Sequence, residues 1–397
     1  MDTQALNLFS DEMRRNPYPV YEQLRNASPL LHVAPLDAWL VFDYEGVKRV
    51  ISDHDAFTSR VGPEWLVFLD PPRHTRLRAL IAKAFTPRVV ANLEPRIQRL
   101  ARELLDEKIE RGEMDLATDF TIPLPMIVIA EMVGVPVEDR ERFKQWSDVI
   151  LALSYGFFKG EAEAKATSDF RATTVEMYEY VGRLMEERRK SARDDLLTKL
   201  VEAEVEGEKL SQGDVVAFVQ LLLVGGQETT TNLVNNSILC FLQHPGELAR
   251  LRANPALLPS AIEEVLRYRS PFQWTLRAPL RDVELHGQTI PRGKRVLAVL
   301  GSANHDPKHF NDPARFDIMR DPNPHIAFGH GIHFCLGAPL ARLEAKVALS
   351  EILARLKNFR LPSAEPWEPR KALNVHGPAR LPICFEPAKR AFSASHA

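Results

Sequence analysis

FGHGIHFCLG, residues 328–337, is a glycine-rich segment that carries two histidines and one cysteine. Three glycines in ten residues disfavour a regular helix through their backbone entropy. The segment also lacks the alternation of apolar and polar residues that is typical of a strand. Directly after it, APLARLEAKVALSEILARL predicts an amphipathic helix with Leu340, Leu343 and Val347 on one face. The sequence therefore predicts a loop that ends where a helix begins, with Cys335 at the junction.

The position of Cys335 favours a reactive sulfur. A helix N-terminus offers unpaired N–H groups and the positive end of a dipole. Both stabilise a thiolate, which a free cysteine forms only near its ordinary pKa of ~8.5. Flanking glycines let the main chain approach a bound group closely. A thiolate in this setting is a candidate iron ligand, although a lone cysteine in a turn is more often buried and inert.

Helical patterns dominate the rest of the chain, so a mostly α architecture is expected. The longest predicted helix opens with Ser211 and Asp214 as a capping pair, ends before Pro245, and is about 45–50 Å long. The other predicted helices lie in TRLRALIAKAFTP, RVVANLEPRIQRLARELLDEKIERG, DFRATTVEMYEYVGRLMEERRKSA and PALLPSAIEEVLRYRSP. Strands are expected in AWLVFDY, in RLPICFE, and as a hairpin followed by a third strand in VELHGQTIPRGKRVLAVL.

Composition narrows the class of protein. The 397 residues carry 51 basic and 53 acidic side chains, a balance that gives no reason to expect nucleic acid or a membrane as partner. The N-terminal residues do not resemble a signal peptide, and the apolar run VVAFVQLLLVGG is too short to cross a bilayer. Three widely spaced cysteines indicate a reducing cytoplasm. We expect a single domain over residues 1–397, with about 1–16 and 388–397 loosely ordered.

FGHGIHFCLGAPLAR resembles the haem-binding signature of the cytochrome P450 family, F-G-x-G-x-H-x-C-x-G followed by A-x-x-A-R, at every fixed position. The resemblance implies the P450 fold: a large helical domain, a minor β-rich part and a long central helix over the haem. It also implies that Cys335 is the axial thiolate of haem b iron and that Phe328 packs beside the sulfur. His333 would reach a haem propionate, and Gly337 would belong to the haem cradle.

Three further segments resemble the same family in the same order, so the resemblance covers essentially the whole chain. DPPRHTRLR would supply His74 and Arg78 to one propionate, and TLRAP would supply Arg277 to the other. EEVLR resembles the E-x-x-R pair of the family, in which Glu264 and Arg267 share one helix face. The implied role of that pair is structural, an ion-pair brace completed by an arginine such as Arg315. Taken alone, each of these charged residues would be read as a solvated surface group.

GGQETT, residues 225–230, interrupts the longest predicted helix. Without context it indicates a kink where a neighbouring helix packs closely. It also resembles the A/G-G-x-D/E-T oxygen-activation motif of the family, with a glycine at the first position where alanine is more usual. The resemblance implies that Gly225 leaves room above the iron. It further implies that Glu228 and Thr229 pass protons to bound dioxygen, with the Thr229 hydroxyl opening a groove for water.

The implied function is a haem-thiolate monooxygenase that inserts one oxygen atom from dioxygen into a hydrophobic small molecule. The chain contains no G-x-G-x-x-G fingerprint, so electrons from NAD(P)H would arrive through a separate ferredoxin or flavodoxin with its reductase. Candidate contacts for that donor are Arg73, Arg76, Lys83, Arg342 and Lys346. A monomer in the cytoplasm is expected.

Family position also gives candidate substrate-pocket residues. The segment between Phe57 and Asp70 is short, so it should form little or no separate helix. A second lid is expected in ILALSYGFFKGEAEA. The pocket candidates are Trp65, Val67, Phe68, Leu221, Val224, Phe272, Gln273, Thr275, Val375 and His376, of which Gln273, Thr275 and His376 are possible polar anchors.

Three rival classes remain weaker. A haem sensor in the same fold would have no need of Glu228 and Thr229. A peroxide-driven peroxygenase would typically lack that acid–threonine pair. A cysteine hydrolase that used Cys335 with His333 would need an oriented base and an oxyanion site, and the glycine loop suggests neither.

Overall fold

The computed structural model describes residues 10–155, 160–363, 367–372 and 374–391, and helices make up most of their regular structure. In chain order the helices are α1 (Asp11–Arg15), α2 (Tyr18–Ala27), α3 (Tyr44–Ser52), α4 (Arg73–Ala84), α5 (Pro87–Ala91), α6 (Glu94–Asp106), α7 (Pro123–Val133), α8 (Arg140–Tyr155), α9 (Gly160–Lys190), α10 (Leu196–Glu202), α11 (Gln212–Gln243), α12 (Pro245–Ala253), α13 (Leu258–Tyr268), α14 (Leu300–Ala303) and α15 (Ala338–Arg355).

The strands of the described residues are short. They are β1 (Leu30–Val33), β2 (Ala38–Val41), β3 (Phe57–Thr58), β4 (Glu113–Asp115), β5 (Glu204–Val205), β6 (Glu208–Lys209), β7 (Thr275–Pro279), β8 (Val283–Leu285), β9 (Gln288–Ile290), β10 (Arg295–Ala298) and β11 (Pro382–Cys384). One sheet has the order β1-β2-β10-β7-β3, and β10 lies parallel to β2 with Arg295 opposite Ala38. Three antiparallel pairs, β4 with β11, β5 with β6 and β8 with β9, complete the strands.

Contacts between Cα atoms divide the chain into two compact units. The first unit takes its described residues from 1–57, 93–124 and 228–397, and the second takes them from 58–92 and 125–227. Helix α11 passes from the second unit to the first between Gln227 and Glu228. The single domain expected from the sequence stays a prediction.

The five-stranded sheet supplies much of the core of the first unit. Its strands β1, β2, β3 and β10 place apolar side chains in one buried cluster together with helix α3 and the β8–β9 hairpin. The hairpin turns at His286 and Gly287, whose φ angles of 51° and 72° are those of a tight turn with left-handed backbone. The HG turn predicted from the sequence is therefore confirmed. Partly buried Trp39 and Phe272 pack against the edge of this core.

A buried ion pair braces the second unit. Arg188 of α9 donates from Nε to Asp195 Oδ2 at 2.6 Å and from Nη2 to the Gly134 carbonyl oxygen at 2.9 Å. Asp195 in turn caps α10 by accepting from the Thr198 N–H at 2.8 Å. Gly134 has a φ of +90°, and a Cβ there would lie 2.3 Å from Asp195 Oδ2. Only glycine therefore fits at this junction of α7, α9 and α10.

The long helix predicted from the sequence is present. Ser211 and Asp214 form the expected reciprocal cap of α11: the Asp214 N–H donates to Ser211 Oγ at 3.1 Å, and the Ser211 N–H donates to Asp214 Oδ2 at 3.0 Å. At ~1.5 Å per residue, its 32 residues span about 48 Å. Pro245 begins the next helix instead of extending α11.

Two helix boundaries differ from the prediction. The segment predicted to contain a long amphipathic helix ending at Gly112 is split into α5 and α6, and α6 ends at Asp106. Pro95 causes the split, because its ring would collide with the carbonyl of Ala91 in a continuous helix. The segment between Phe57 and Asp70 contains only a three-residue 3₁₀ turn, Leu66–Phe68, as the short length predicted.

Both ends of the chain are partly described. Asp11–Arg15 forms α1, with Ser10 as its N-cap. Near the other end, the Ala388 N–H donates to the Ile109 carbonyl oxygen at 3.1 Å, and the Ala391 N–H donates to Asp106 Oδ1 at 2.9 Å. Residues 1–9 and 392–397 lie outside the described residues. Residues 156–159 of the expected second lid also lie outside them.

The brace around Glu264 and Arg267 is fully buried, and its third member is Arg320 instead of Arg315. Glu264 accepts from Arg267 at 2.8 and 2.9 Å and from Arg320 Nε at 3.1 and 3.2 Å. The side chain of Arg315 is 60% exposed and faces Asp317, whereas that of Arg320 is 10% exposed. Arg315 contributes only its carbonyl oxygen, which accepts from both Arg267 and Arg320. The choice of Arg315 was therefore wrong, because the intervening turn directs Arg320 inward.

Glu344 of α15 gives a testable dependence of stability on pH. Burial raises the pKa of Glu344 from 4.5 to about 8, and its Oε2 has no hydrogen-bond partner among the described residues. Between these two pKa values the folded state keeps a proton that the unfolded state has lost. The free energy of unfolding should therefore fall as pH rises through this window, by at most ~1.4 kcal/mol per pH unit. Glu344→Gln should remove this part of the pH dependence of the free energy of unfolding.

Urea denaturation of both proteins at pH 5, 7 and 8.5 measures the effect. The variant should be the more stable protein at pH 8.5 by up to a few kcal/mol, and the difference should shrink at pH 5. Glu351→Gln is the matched control on α15, because Glu351 pairs with Arg102 at 2.9 Å and its loss should reduce stability. Identical pH slopes for the wild type and Glu344→Gln would refute the assignment.

Candidate functional site

The loop before α15 holds Cys335 in a defined conformation. The Cys335 N–H donates to the carbonyl oxygen of Phe328 at 2.9 Å, which closes the loop. Gly329 and Gly331 have φ angles of +75° and +71°, in the left-handed region that side chains disfavour. Cys335 itself is exposed, and Gly337 is the N-cap residue of α15. The loop therefore presents a sulfur at a helix N-terminus, as the sequence predicted.

Arg342, one turn into α15, contacts this loop and anchors it to Glu263. Its guanidinium lies 4.6 Å from the centre of the Phe328 ring and binds both carboxylate oxygens of Glu263 at 2.7 Å. The hydrogen bond with Glu263, with a further contribution from the Cys335 sulfur, holds the pKa of Arg342 above its usual value. From the sequence, Arg342 is predicted only as a surface contact for the electron-donor protein. The final arginine of the quoted signature was the signal for this second role.

Glu263 links the loop to helix α13. Although burial raises its pKa, hydrogen bonds from Arg342 and His325 lower that pKa to about 2. The carboxylate therefore stays charged over the working pH range and keeps Arg342 in place. His330, on the outer side of the loop, lies 3.1 Å from Ser52 Oγ through its Nδ1.

The first-unit residues fit a flat, anionic, thiolate-bound cofactor. The donor is the exposed Cys335 sulfur, and a Cβ added at Gly337 would make an ordinary van der Waals contact with it at 3.8 Å. Arg277 on β7 is a buried cation, 5% exposed, whose Nη1 donates to the Leu276 carbonyl oxygen at 2.8 Å and to Thr275 Oγ1 at 3.2 Å. His333 ends the 3₁₀ turn Gly331–His333 in the same loop. A soft sulfur ligand and a buried guanidinium are the residue types that suit a haem, whose iron takes a thiolate and whose propionates take a cation.

Gly225 and Gly226 of α11 are glycines for different structural reasons. A Cβ at Gly226 would lie 2.7 Å from Ile129 Cδ1 on α7, so this glycine permits close packing within the second unit. A Cβ at Gly225 would meet no atom of the described residues within 4 Å. Close helix packing therefore explains Gly226. Gly225 instead borders open space beside the helix, so packing does not explain it.

Glu228 and Thr229 follow directly in α11. Glu228 is 4% exposed, and its Oε1 lies 3.8 Å from Nη1 of Arg370. Thr229 is half-buried. Arg370 is partly exposed, with 14% of its side chain accessible. A buried carboxylate that faces a guanidinium can exchange protons with a neighbouring hydroxyl or water.

The other predicted site residues of the second unit lie on α4, on α11, and in or beside the 3₁₀ turn Leu66–Phe68. His74 is 1% exposed and Arg78 half-buried, four residues apart on one face of α4. Trp65 is buried, with Nε1 donating to Gln220 Oε1 at 2.9 Å and its ring stacked on Phe68 at 6.0 Å. The other three, Val67, Leu221 and Val224, are exposed or half-exposed apolar side chains.

Two first-unit residues proposed as polar anchors are engaged by the protein itself. Gln273 Nε2 donates to the Ser270 carbonyl oxygen at 2.7 Å. His376 is 2% exposed, with Nε2 3.0 Å from the Arg15 carbonyl oxygen and Nδ1 3.5 Å from the Tyr18 hydroxyl. Burial lowers the pKa of His376 to about 3, so the ring is neutral.

The other first-unit candidates keep accessible surface. Phe272 is half-buried and forms a β-bridge with buried Val375. Thr275 is half-buried, and its hydroxyl oxygen accepts from Arg277. Phe272 and Thr275 are therefore the first-unit candidates with surface available to a ligand.

The basic residues suggested as donor contacts pair with groups of the chain itself. Arg73 binds Glu64, Arg76 binds Glu208 at 3.0 Å, Lys83 donates to the Glu204 carbonyl oxygen at 2.6 Å, and Lys346 binds Glu94 at 3.0 Å. With the Arg342–Glu263 pair, four of the five basic residues face a carboxylate, whereas Lys83 contacts a neutral carbonyl oxygen and keeps its net charge.

Comparison with known proteins gives one consistent family. The family model described as Cytochrome P450 matches residues 7–376. Cytochrome P450 107B1 of Saccharopolyspora erythraea is 40% identical over 403 residues, covering 94% of this chain and 96% of that protein. The structure of CYP109Q5 from Chondromyces apiculatus is 41% identical with a TM-score of 0.88, covering 96% of this chain and 98% of that one. CYP109E1 from Bacillus megaterium, in complex with testosterone, is 40% identical with a TM-score of 0.86, covering 93% of this chain and 99% of that one.

Proposed function

The chain belongs to the cytochrome P450 family and is a P450 monooxygenase, and from that premise we propose that Cys335 ligates haem b and that the substrate is a hydrophobic small molecule. The observation that carries the proposal is the loop geometry: an exposed Cys335 sulfur at the start of α15, in a loop closed by its own N–H and shaped by two left-handed glycines. We expect the protein to act as a monomer.

The residues that would hold the haem divide by role. Phe328 would pack beside the sulfur and Gly337 would let the main chain pass close to it. Arg277 and His333 would bind propionate oxygens, and His74, Arg78 and Gly225 would make the haem contacts that the family resemblance implies. When bound, haem supplies the activation of dioxygen with electrons that derive from NAD(P)H.

Glu228 and Thr229 would manage protons. The Glu228 carboxylate would take up a proton from water and pass it to water held by the Thr229 hydroxyl, or to that hydroxyl as it donates its own proton onward. The burial of Glu228 supports this role, because a carboxylate removed from bulk solvent exchanges protons only through ordered neighbours. Gly225 leaves the adjacent turn of α11 open.

Thr229→Ala tests the proton role. The variant should bind haem and substrate as the wild type does, but should release most of its reducing equivalents as hydrogen peroxide and lower the yield of product per NADPH roughly tenfold or more. Product and peroxide are measured in the same reaction with a ferredoxin and its reductase. Thr230→Ala is the matched control, because Thr230 is the next, buried threonine of the helix. Fully coupled turnover in Thr229→Ala would contradict the proposed relay.

The apolar candidates support a hydrophobic substrate. Val67 is 38% exposed, and Leu221, Val224 and Phe272 keep part of their surface accessible. CYP109E1, which is similar to this chain, has been solved with testosterone. We therefore propose a steroid-sized apolar molecule as the first substrate class to screen. Spin-state titrations with testosterone, a long-chain fatty acid and a polar sugar test this, and a response to the sugar alone would contradict it.

A separate ferredoxin or flavodoxin with its reductase is the proposed electron donor. The chain lacks a dinucleotide-binding fingerprint, and the paired basic residues leave no single dominant positive surface among those named above. Stopped-flow reduction by a ferredoxin and by a flavodoxin distinguishes the two donors.

A further inference from the structure

One face of α11 beyond Glu228 is polar yet buried. Asn232 and Asn235 follow Glu228 by four and seven residues, so the three side chains lie in one row about 10 Å long. Glu228 is 4% exposed and both asparagines are 0% exposed. Apolar residues would fill such positions at lower cost, so this face calls for another explanation.

The polar atoms along this row are incompletely satisfied. Five buried side-chain atoms here have no hydrogen-bond partner among the described residues. They are Oδ1 and Nδ2 of Asn232, Nδ2 of Asn235, and Nε and Nη2 of Arg370. Asn374 Oδ1 is in the same condition. Buried polar atoms are almost always hydrogen-bonded, and internal water is the usual partner where protein groups are lacking.

Asn232 and Glu228 of this row lie against one segment of the first unit, residues 369–372 and 374–378. Residues 369–370 run antiparallel to residues 377–378, and the Arg370 N–H donates to the Gly377 carbonyl oxygen at 3.1 Å. Gly377 packs on α11, because a Cβ there would lie 2.4 Å from Asn232 Oδ1. On the preceding turn of α11, Arg370 Nη1 lies 3.8 Å from Glu228 Oε1, too far for a direct hydrogen bond.

The row has one closed end and one end near solvent. At the closed end, Thr121 Oγ1 donates to Asn235 Oδ1 at 3.0 Å, and the Thr121 carbonyl oxygen accepts from Thr231 Oγ1 at 2.6 Å. One turn farther along α11, Leu239 is 1% exposed. At the other end, the Arg370 side chain is 14% exposed. Water can therefore reach the row beside Arg370.

We propose that internal water molecules occupy this buried row and supply protons to Glu228, with Arg370 as the positioning residue that orients the carboxylate. Protons enter from solvent beside Arg370, pass between water molecules held by Asn232 and Arg370, and reach Glu228 Oε1. Arg370 keeps its own proton throughout, because a guanidinium does not deprotonate in proteins. The inference rests on the proposed function, in which Glu228 is the immediate proton source.

Two substitutions test the row. Arg370→Met removes the charge at similar length, and Asn232→Leu replaces the amide by an apolar group of similar size. Both should keep the wild-type spectrum of the reduced carbon monoxide complex and the wild-type affinity for substrate in spin-state titrations. Turnover should fall roughly tenfold, and the solvent deuterium isotope effect on turnover should rise. Arg370→Lys should restore most of the rate.

Arg380→Met is the matched control. It also removes an arginine that faces a carboxylate, here Asp115 at 2.8 Å. The Arg380 side chain is 67% exposed, however, and Arg380 precedes β11, outside the buried row. Its turnover and isotope effect should equal those of the wild type. Wild-type values of both quantities in Arg370→Met and Asn232→Leu would overturn the proposal.

Two further measurements separate the possible failures. If Glu228→Gln leaves coupling unchanged, the proposed role of Glu228 fails and this inference fails with it. If Glu228→Gln uncouples turnover while the row variants do not, only the inference fails. Independently of activity, an atomic-resolution crystal structure of the wild type should show ordered water within hydrogen-bond distance of Asn232 Nδ2 and Arg370 Nε. Direct protein contacts in place of that water would overturn the proposal even if the variants failed to fold.

Discussion

A Cys335→Ser variant should lose monooxygenase turnover by on the order of a thousandfold or more, the largest effect expected from a single substitution in this chain. Serine preserves the size of the side chain and the loop, since the hydrogen bond from residue 335 to the Phe328 carbonyl oxygen uses only the backbone. What it removes is the sulfur. A serine hydroxyl is neutral at neutral pH and a poor electron donor to iron, so loss of activity would be assigned to the ligand itself.

Product formation with a ferredoxin, its reductase and NADPH measures this loss. Cys384→Ser is the matched control, because Cys384 is a half-buried cysteine in β11. The control should keep wild-type turnover. If Cys335→Ser retained turnover within a few-fold of the wild type, the sulfur would not be the ligand on which catalysis depends.

The second large effect is expected on stability, at the brace around Glu264. Arg267 is 0% exposed and donates to Glu264, Asn304, Pro313 and Arg315. Arg267→Leu would leave the Glu264 carboxylate buried with too few partners, which typically costs ~3–5 kcal/mol. Urea denaturation should show that loss, together with reduced retention of haem.

The correction from Arg315 to Arg320 supplies the matched pair. Arg320→Met should cost ~2–3 kcal/mol, because its guanidinium also binds Glu264 at 3.1 Å and is nearly buried. Arg315→Met should cost less than about 1 kcal/mol, since that side chain is 60% exposed and its useful carbonyl oxygen would remain. Equal losses for the two variants, or a larger loss for Arg315→Met, would contradict the assignment.

Sequence patterns sufficed where structure is decided locally. The loop around Cys335, the capped start of α11 and the HG hairpin each depend on residues close together in the chain, and each is present as predicted. The family and its mainly α fold are also confirmed, because the signature around Cys335 is long and specific. The split between α5 and α6 could have been predicted from Pro95.

Features decided by distant contacts escaped the sequence. Arg315 and Arg320 occupy one short segment, and only the path of its turns decides which guanidinium meets Glu264. Gly225 and Gly226 are neighbours, yet only Gly226 meets Ile129 of α7. The parallel pairing of β2 with β10 joins strands far apart in the chain, so no local pattern reveals it.

At the candidate site, the position of Arg370 also could not be predicted from the sequence. It lies far from Glu228 in sequence, in a segment without a recognisable motif, and only folding brings its guanidinium within 3.8 Å of that carboxylate. The polar residues after Glu228 were visible in the sequence as ETTTNLVNNS, but their complete burial was not. A helix that is predicted to be buried and still carries several asparagines is the signal that could have drawn attention to this face.

The visible spectrum of the reduced protein with carbon monoxide tests the central claim most directly, because it distinguishes a thiolate ligand from a nitrogen ligand of the haem. With Cys335 as the thiolate ligand, the Soret maximum should show the strong red shift that thiolate ligation gives, and Cys335→Ser should abolish that shift. A wild-type Soret maximum at the unshifted position of a nitrogen-ligated haem, or a shift that survived in Cys335→Ser, would contradict the account.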